Sequence, residues 1–377
     1  MMTLVDYSLK HPTFLIIKSK THFFKLFTYF CHKFLIFWKI GEAMKIIING
    51  LGRIGKLVFR RLCDKGLYKN ILLVNEKEGA PEDQEYFLKY DSVHGSWGDF
   101  LTYKNNFLYY KNHKISVSNF SSIEDIDFKG EKNVLVIDCT GKHNSLNLLN
   151  PYINKYAKYI LVSAPIESKS VQNIVYGVNH NDVDTKNFQI FTSASCTTNC
   201  LAPIVKVLEE QIGIEHGSIT TIHNITNSQN LVDSPKANLR RSRSGINSLI
   251  PTTTGSAKAI SLIYPELKGR LNGHAVRVPL LNASLTDCVF EMKKPVSVEE
   301  INKLFIEASA SYLKNILSFE ERPLVSSDYV NNSHSAIIDG LSTMVVNRTQ
   351  LKVYAWYDNE WGYACRMVDL ISHLMNK

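Results

Sequence analysis

The sequence predicts an α/β protein in two parts: a doubly wound parallel sheet over residues 44–195, then an α+β domain with a mostly antiparallel sheet over 196–359. Three observations carry this reading. Short apolar strands alternate with helix-period segments from Met44 to about Ser195, the pattern of a parallel sheet covered on both faces. A G-x-G-x-x-G turn, Gly50-Leu51-Gly52-Arg53-Ile54-Gly55, links the first strand to the first helix. After a helix through Ala202, Val205 and Leu208, the strands follow one another without regular intervening helices.

Lys45-Ile46-Ile47-Ile48-Asn49 is a buried-type strand. The helix after the glycine turn carries Leu57, Val58, Arg61 and Leu62 and is stopped at Gly66. Residues 70–74 form a second strand that ends at Asn75-Glu76. This is the βαβ setting in which glycines let a dinucleotide pyrophosphate approach the backbone and a helix N-terminus. Glu76, 21 residues after Gly55, is placed to accept the two ribose hydroxyls. Further strands are expected at 133–138, 159–163 and 174–178, with Thr140-Gly141 at the C-terminal edge where open parallel sheets bind ligands. In the second part, strands are expected at 218–222, 273–278, 284–292 and 352–357. Ser297 and Glu300 form a capping box ahead of Ile301, Leu304, Phe305 and Ala308. A terminal helix, 361–375, with Met367, Leu370, Ile371 and Leu374 on one face, is expected to return to the first domain.

Charge and cysteine content narrow the function classes. The net charge of +8 owes half its value to residues 1–43, where six lysines face only Asp6 and Glu42. The mild excess that remains suits a small anionic substrate as well as it suits nucleic acid, and no nucleic-acid partner is expected. Seven cysteines show no CxxC or paired-His spacing, so no metal site is expected. An odd count without a secretory signal points to a reducing, cytoplasmic setting. The apolar runs within residues 1–43 are too short to span a bilayer, so no membrane partner is expected. That segment reads as an extension ahead of a start at Met44, with organelle targeting as the second reading.

The chemistry centres on Ser195-Cys196-Thr197-Thr198-Asn199-Cys200. Ser195 can cap a helix whose first turn holds Cys196, and the positive end of the backbone dipole favours a thiolate there. A thiolate is a nucleophile, so the placement suggests covalent catalysis. His223, at the end of the 218–222 strand, is the candidate partner: it could hold the thiol as an ion pair and shuttle its proton. Arg240, Arg241 and Arg243, with Pro251-Thr252-Thr253-Thr254-Gly255, supply the guanidinium, hydroxyl and open-amide groups that bind phosphate oxygens. Arg277 alternates with apolar neighbours in a strand and therefore needs an anionic partner.

Across 44–377 the chain resembles the glyceraldehyde-3-phosphate dehydrogenase family. The matching pieces, in order, include 48–55, Tyr90-Asp91-Ser92-Val93-His94-Gly95, Gly177-Val178-Asn179-His180 and 194–203. Leu271-Asn272-Gly273, Arg277-Val278-Pro279 and Trp356-Tyr357-Asp358-Asn359-Glu360-Trp361-Gly362-Tyr363 complete the series. The resemblance implies a Rossmann-type domain that binds NAD, with Cys196 as nucleophile, His223 as base, and an acyl thioester between oxidation and release. It further implies that Thr226 and Arg277 hold the substrate phosphate of glyceraldehyde 3-phosphate. Ser195, Thr197, Thr254 and Gly255 would hold the attacking phosphate, with Arg241 nearby. Asn49, Gly50, Leu51, Gly52, Arg53, Ile54, Gly55, Glu76, Thr140 and Gly141 would line the cofactor groove, and Asn359 would orient the nicotinamide amide. Family members are usually homotetramers, with a loop like 224–250 at the subunit contact. Three stretches depart from the glycolytic pattern: Val74-Asn75-Glu76, Asn224-Ile225-Thr226-Asn227-Ser228-Gln229, and residues 274–282. They look like the branch associated with arsenate resistance, in which arsenate is the attacking oxyanion. Erythrose-4-phosphate oxidation and a catalytically silent binding module are the alternatives the sequence leaves open.

Overall fold

The computed structural model describes residues 43–377, and Met44–Lys377 forms one unit. The expectations about the N-terminal extension therefore lie outside the described residues, apart from Ala43. The first sheet has nine strands: β1 (Lys45–Asn49), β2 (Ile71–Asn75), β3 (Leu101–Lys104), β4 (Phe107–Tyr110), β5 (His113–Ser118), β6 (Val134–Asp138), β7 (Ala157–Val162), β8 (Val171–Asn173) and β9 (Ile190–Thr192). Their order is β3-β4-β5-β2-β1-β6-β7-β9-β8, parallel except for the β3-β4-β5 meander. Helices α1 (Arg53–Asp64), α2 (Asp83–Lys89) and α3 (Leu146–Asn154) accompany it.

The alternation of side chains along β1 explains the layering. Ile46 and Ile48 enter one apolar cluster with Leu57, Val58 and Leu62 of α1, whereas Ile47 enters another with Leu149 and Tyr152 of α3. The strand order reverses its advance at β1, which pairs in parallel with β2 on one side and β6 on the other. That switch point opens a crevice at the strands' C-terminal ends. Gly50 sits there at φ +91°, and a Cβ on it would lie 2.8 Å from the Cys139 carbonyl carbon. Gly55 is tighter still, since its Cβ would fall 1.8 Å from the Gly50 carbonyl oxygen. Gly55→Ala must therefore push the turn away from α1, at a cost of about 1–3 kcal/mol. We expect it to weaken NAD binding at least about tenfold in calorimetry, the equivalent of 1.4 kcal/mol; an unchanged dissociation constant would refute this role for the turn.

The second sheet follows α4 (Cys196–Gln211). It comprises β10 (Ile214–Asn224), β11 (Ile250–Thr253), β12 (Leu271–Val278), β13 (Ser284–Met292), β14 (Leu317–Glu320), β15 (Ala336–Asp339), β16 (Met344–Val346) and β17 (Gln350–Tyr357). Pairing is antiparallel except for β10–β12 and β14–β15. Helices α5 (Ser256–Ile263) and α6 (Val298–Ala310) lie in this part of the chain, and α4 and α6 pack in the cluster holding Ile219, Phe290 and Val353. The final helix, α7 (Trp361–Met375), buries Met367, Leu370, Ile371 and Leu374 in the cluster of β1 and α1. Ser297 Oγ accepts from Glu300 N at 3.2 Å and caps α6.

Several expectations need correction. Residues 174–178 are not a strand: β8 stops at Asn173, because Asn179 Oδ1 takes the Val175 amide and Gly177 turns the chain at φ +91°. The β3-β4-β5 meander interrupts the βαβ alternation, and its Tyr- and Lys-rich strands carry no buried-strand pattern. Helix α5 stands between two strands where no helix was expected. Strand β10 starts at Ile214 and runs one residue past His223.

Candidate active site

The cofactor end is a cavity of about 560 Å³ lined by Asn49, Gly50, Leu51, Gly52, Arg53, Asn75, Glu76 and Thr140. Gly52 caps α1 without a side-chain bond, so first-turn amides stay available to an anion. Glu76 Oε2 accepts from Leu51 N at 2.6 Å and Oε1 from Glu78 N at 3.0 Å, which anchors the carboxylate at the rim. Each oxygen keeps a second lone pair for a ribose hydroxyl. Gly55 packs behind the turn, and Gly141, at φ +66°, turns the chain next to the lining Thr140. These residues fit a dinucleotide.

Arg53 lines this cavity, but its side chain is engaged elsewhere. It donates to Glu360 at 2.9 and 2.5 Å and to Asp91 at 2.5 Å, and Lys56 also pairs with Asp91. Burial pushes the Asp91 carboxyl up, but hydrogen bonds from Arg53, Lys56 and the His94 and Val93 amides outweigh it and hold the group well below the usual carboxylate range. His94 Nε2 lies 2.9 Å from Glu360 Oε2 and its Nδ1 2.6 Å from Asn331 Oδ1. The cluster ties α1 to the residues around Asn359. Asn359 itself is buried; Ser284 Oγ donates to its Oδ1 at 3.1 Å, which leaves the amide nitrogen to offer a ligand.

Two further cavities, of about 810 and 900 Å³, share Ser195, Cys196, His223 and Arg277. The first also holds Ile54, Thr226 and Asn359, and meets the cofactor cavity at Arg53. The second holds Thr197, Thr254 and Gly255. Ser195 caps α4, its Oγ accepting from Thr198 N at 3.0 Å, and Cys196 starts the helix. Ala194, just before it, sits at φ +48° with its carbonyl held by Tyr363 OH at 3.0 Å. Left-handed backbone at a residue with a Cβ costs about 1–2 kcal/mol. That strained turn sets the thiol at the junction.

Cys196 Sγ lies 3.6 Å from His223 Nε2. Parallel pairing of β10 with β12 brings His223 opposite Arg277, and Arg277 Nη1 reaches His223 Nδ1 at 2.5 Å and the Asn224 carbonyl at 3.1 Å. Burial works against charge at both groups. Burial pushes the Cys196 thiol up, against the pull of Arg277 and of the Thr197 hydroxyl and amide. Burial, then the Arg277 charge, holds the His223 imidazole down at about 3. Desolvation thus disfavours charge on both members of the pair and works against the helix dipole.

The remaining candidates are placed as follows. Thr226 is exposed, its hydroxyl near Ser228 Oγ at 2.9 Å and donating to Gln229 Oε1 at 3.0 Å. Thr197 is buried against Tyr357 OH at 2.9 Å. Thr254 Oγ1 lies 3.0 Å from Ser256 Oγ, itself 3.5 Å from Ser195 Oγ, which makes a row of hydroxyls. Arg241 sits in a short turn outside the lining of these cavities, although its charge presses on that of Arg277. Sequence reasoning missed the polar row beneath the cofactor cavity. There Tyr152 OH donates to Asp138 Oδ2 at 2.7 Å, His143 Nδ1 lies 2.6 Å from the same oxygen, and Asn75 Nδ2 donates to Asn49 Oδ1 at 2.8 Å. It also missed Asp91, Glu360, Ser256 and Ser284. Buried polar residues after strand ends were the available signal.

The chain matches known proteins over most of its length. The family model described as glyceraldehyde 3-phosphate dehydrogenase, NAD binding domain, matches residues 44–146, and that of the C-terminal domain matches 195–359. Glyceraldehyde-3-phosphate dehydrogenase 3 of Nostoc sp. is 49% identical over 328 residues, 87% of this chain and 97% of that protein. Glyceraldehyde-3-phosphate dehydrogenase 2 of Bacillus subtilis is 43% identical over 332 residues, 88% of this chain and 96% of that protein. The enzyme of the same name from Staphylococcus aureus is 43% identical over 333 residues, with the same shares.

Proposed function

The chain belongs to the glyceraldehyde-3-phosphate dehydrogenase family and is an NAD-dependent dehydrogenase, and from that premise we propose that it oxidises glyceraldehyde 3-phosphate through a thioester on Cys196 and passes the acyl group to phosphate. The observation that carries the proposal is the 3.6 Å approach of Cys196 Sγ to His223 Nε2, at a helix N-terminus where the substrate-sized cavities meet.

In this reading Cys196 Sγ attacks the aldehyde carbon, and the oxygen of the resulting thiohemiacetal lies near the Cys196 amide and His223 Nε2. His223 takes the hydroxyl proton as the carbon is oxidised to the thioester. Bound NAD supplies the acceptor for the hydride. Phosphate then attacks the thioester carbon, an acyl phosphate forms, and the electron pair of the C–S bond returns to Cys196 as thiolate. Thr226 and Arg277 hold the substrate phosphate in one cavity; Ser195, Thr197, Thr254 and Gly255 hold the attacking oxyanion in the other, with the more remote Arg241 adding its charge. Asn359 orients the nicotinamide amide, and Asn49 to Gly55, Glu76, Thr140 and Gly141 seat the rest of the cofactor.

Exposed Leu231, Val232, Leu239, Ile246 and Leu249 lie within 224–250, and Leu280 and Leu281 are exposed as well. So much apolar surface supports a homotetramer with this loop at a subunit contact.

The test is NADH formation from glyceraldehyde 3-phosphate with phosphate and arsenate in turn. Turnover with phosphate, and an acyl adduct at Cys196 by mass spectrometry, are expected. The departures at 224–229 and 274–282 favour a second reading, with arsenate as acceptor. Arsenate and phosphate are near-isosteric, so only a higher kcat/KM with arsenate selects it. Higher kcat/KM with erythrose 4-phosphate would replace the aldehyde substrate.

A further inference from the structure

Glu360 is the first residue beyond Asn359, and its carboxylate does not do what its place predicts. It stands at the N-cap of α7, where an acid ordinarily accepts from the amides of the first turn, yet it makes no such bond. Asp358 takes that role instead, its Oδ1 accepting from Glu360 N at 2.9 Å and from Trp361 N at 2.7 Å. Glu360 turns toward α1. Arg53 Nε and Nη2 form a two-point fork with its Oε1 and Oε2 at 2.9 and 2.5 Å, and His94 Nε2 lies 2.9 Å from Oε2. Burial works against the charge on Glu360, but the bonds from Arg53 and His94 outweigh it and hold the group below its ordinary value. The fork therefore joins the residue that follows Gly52 in the glycine turn to the residue that follows Asn359.

We infer that Glu360 is a positioning residue for the nicotinamide end of the cofactor: forked to Arg53, it fixes Asn359 relative to the turn that seats the pyrophosphate. This rests on the reading of Asn359 as the partner of the nicotinamide amide. Asn359 lies in the short link between β17 and α7, so its neighbours set where its backbone runs. On one side Asp358 is anchored by the α7 amides and, through Oδ2, by Asn331 N at 2.7 Å. On the other side the anchor is the Glu360 fork, which reaches the N-terminus of α1, where Asp91 in turn holds Arg53 at 2.5 Å. Ser284 Oγ steadies the Asn359 oxygen, and the amide nitrogen goes where the link carries it. A fork of two charge-assisted bonds holds direction as well as distance, which a lone hydrogen bond does not. The two ends of a dinucleotide thus meet a turn and an amide whose separation is set by this ion pair.

The test is calorimetric binding of NAD, NADH and ADP-ribose to the full chain, in the parent, in Glu360→Gln and in Asn359→Ala. ADP-ribose carries the pyrophosphate and lacks the nicotinamide, so the ratio of its Kd to that of the full cofactor isolates the nicotinamide end. Glu360→Gln keeps the shape of the side chain and removes the charge that draws the fork. It is expected to lower that ratio about tenfold, the loss of roughly one hydrogen bond to the carboxamide, and to do so equally for NAD and NADH. Equal weakening of NAD, NADH and ADP-ribose would place Glu360 in general stability or in the glycine turn, and no change in the ratio would leave it idle; either result overturns the proposal. A loss confined to NAD also overturns it, because a carboxylate acting only through its charge favours the nicotinium and ignores the neutral reduced ring. Asn359→Ala separates the premise from the proposal. If it leaves the ratio at the parent value, the reading of Asn359 fails and the inference falls with it. If it lowers the ratio while Glu360→Gln does not, the inference alone fails. Should Glu360→Gln not fold, His94→Asn, which leaves the Arg53 fork and removes the bond to Oε2, decides in its place. A ratio lowered about threefold is then expected, and an unchanged one overturns the proposal.

Discussion

Cys196→Ser is expected to lower kcat for NADH formation by at least about four orders of magnitude, the scale seen when a covalent nucleophile is removed. A serine hydroxyl occupies the same place at the start of α4, below the strained Ala194 turn and beside His223. It is a far weaker nucleophile, because a hydroxyl gives up its proton far less readily than a thiol to the same imidazole. NAD binding should stay near the parent value, because Cys196 does not line the cofactor cavity. Steady-state assays and calorimetry on the same preparation separate the two effects. Retained turnover in the serine variant would end the covalent route.

His223→Asn removes the proton carrier and one of the two donors facing the developing oxyanion, and should lower kcat by about 10²–10⁴. Its second effect is on stability. The imidazole is buried and neutral, with a folded pKa of about 3 against about 6.5 in an unfolded chain. Below pH 6.5 the unfolded state binds a proton that the folded state refuses, so stability falls as pH drops toward 3. The asparagine variant has no such group. Its melting temperature should decline less than the parent's between pH 7 and pH 5, as read by calorimetric scans. A parallel decline in both proteins would mean that His223 is solvated or already charged in the fold.

Much of the architecture is local and was therefore readable. The glycine turn at Gly50–Gly55 declares itself because close backbone approach admits no Cβ, and Ser195 because a helix start needs a side-chain acceptor. Strands β1, β6 and β13 follow apolar runs or alternation. The 174–178 stretch misleads because Ile174 and Val175 are as buried as strand residues, while Asn179 and Gly177 divert their backbone into a turn. Residues 101–118 give no strand signal in the sequence, since an edge meander half-exposed to solvent has no continuous apolar signature.

The sequence alone determined which chemical groups are present and which short-range geometry each adopts: a phosphate-sized turn, an acid beyond the second strand, and a thiol on the first turn of a capped helix. Tertiary structure decided which of them meet and in what charge state. Cys196 meets His223, and His223 meets Arg277, only through the α4–β10–β12 arrangement, and the Arg53 clamp joins residues that α1 and the chain's final segment contribute. The physical reason is that desolvation and charge–charge contact depend on what surrounds an atom in space. A helix dipole read from spacing favours a thiolate; the burial around Cys196, which spacing does not encode, pushes the other way.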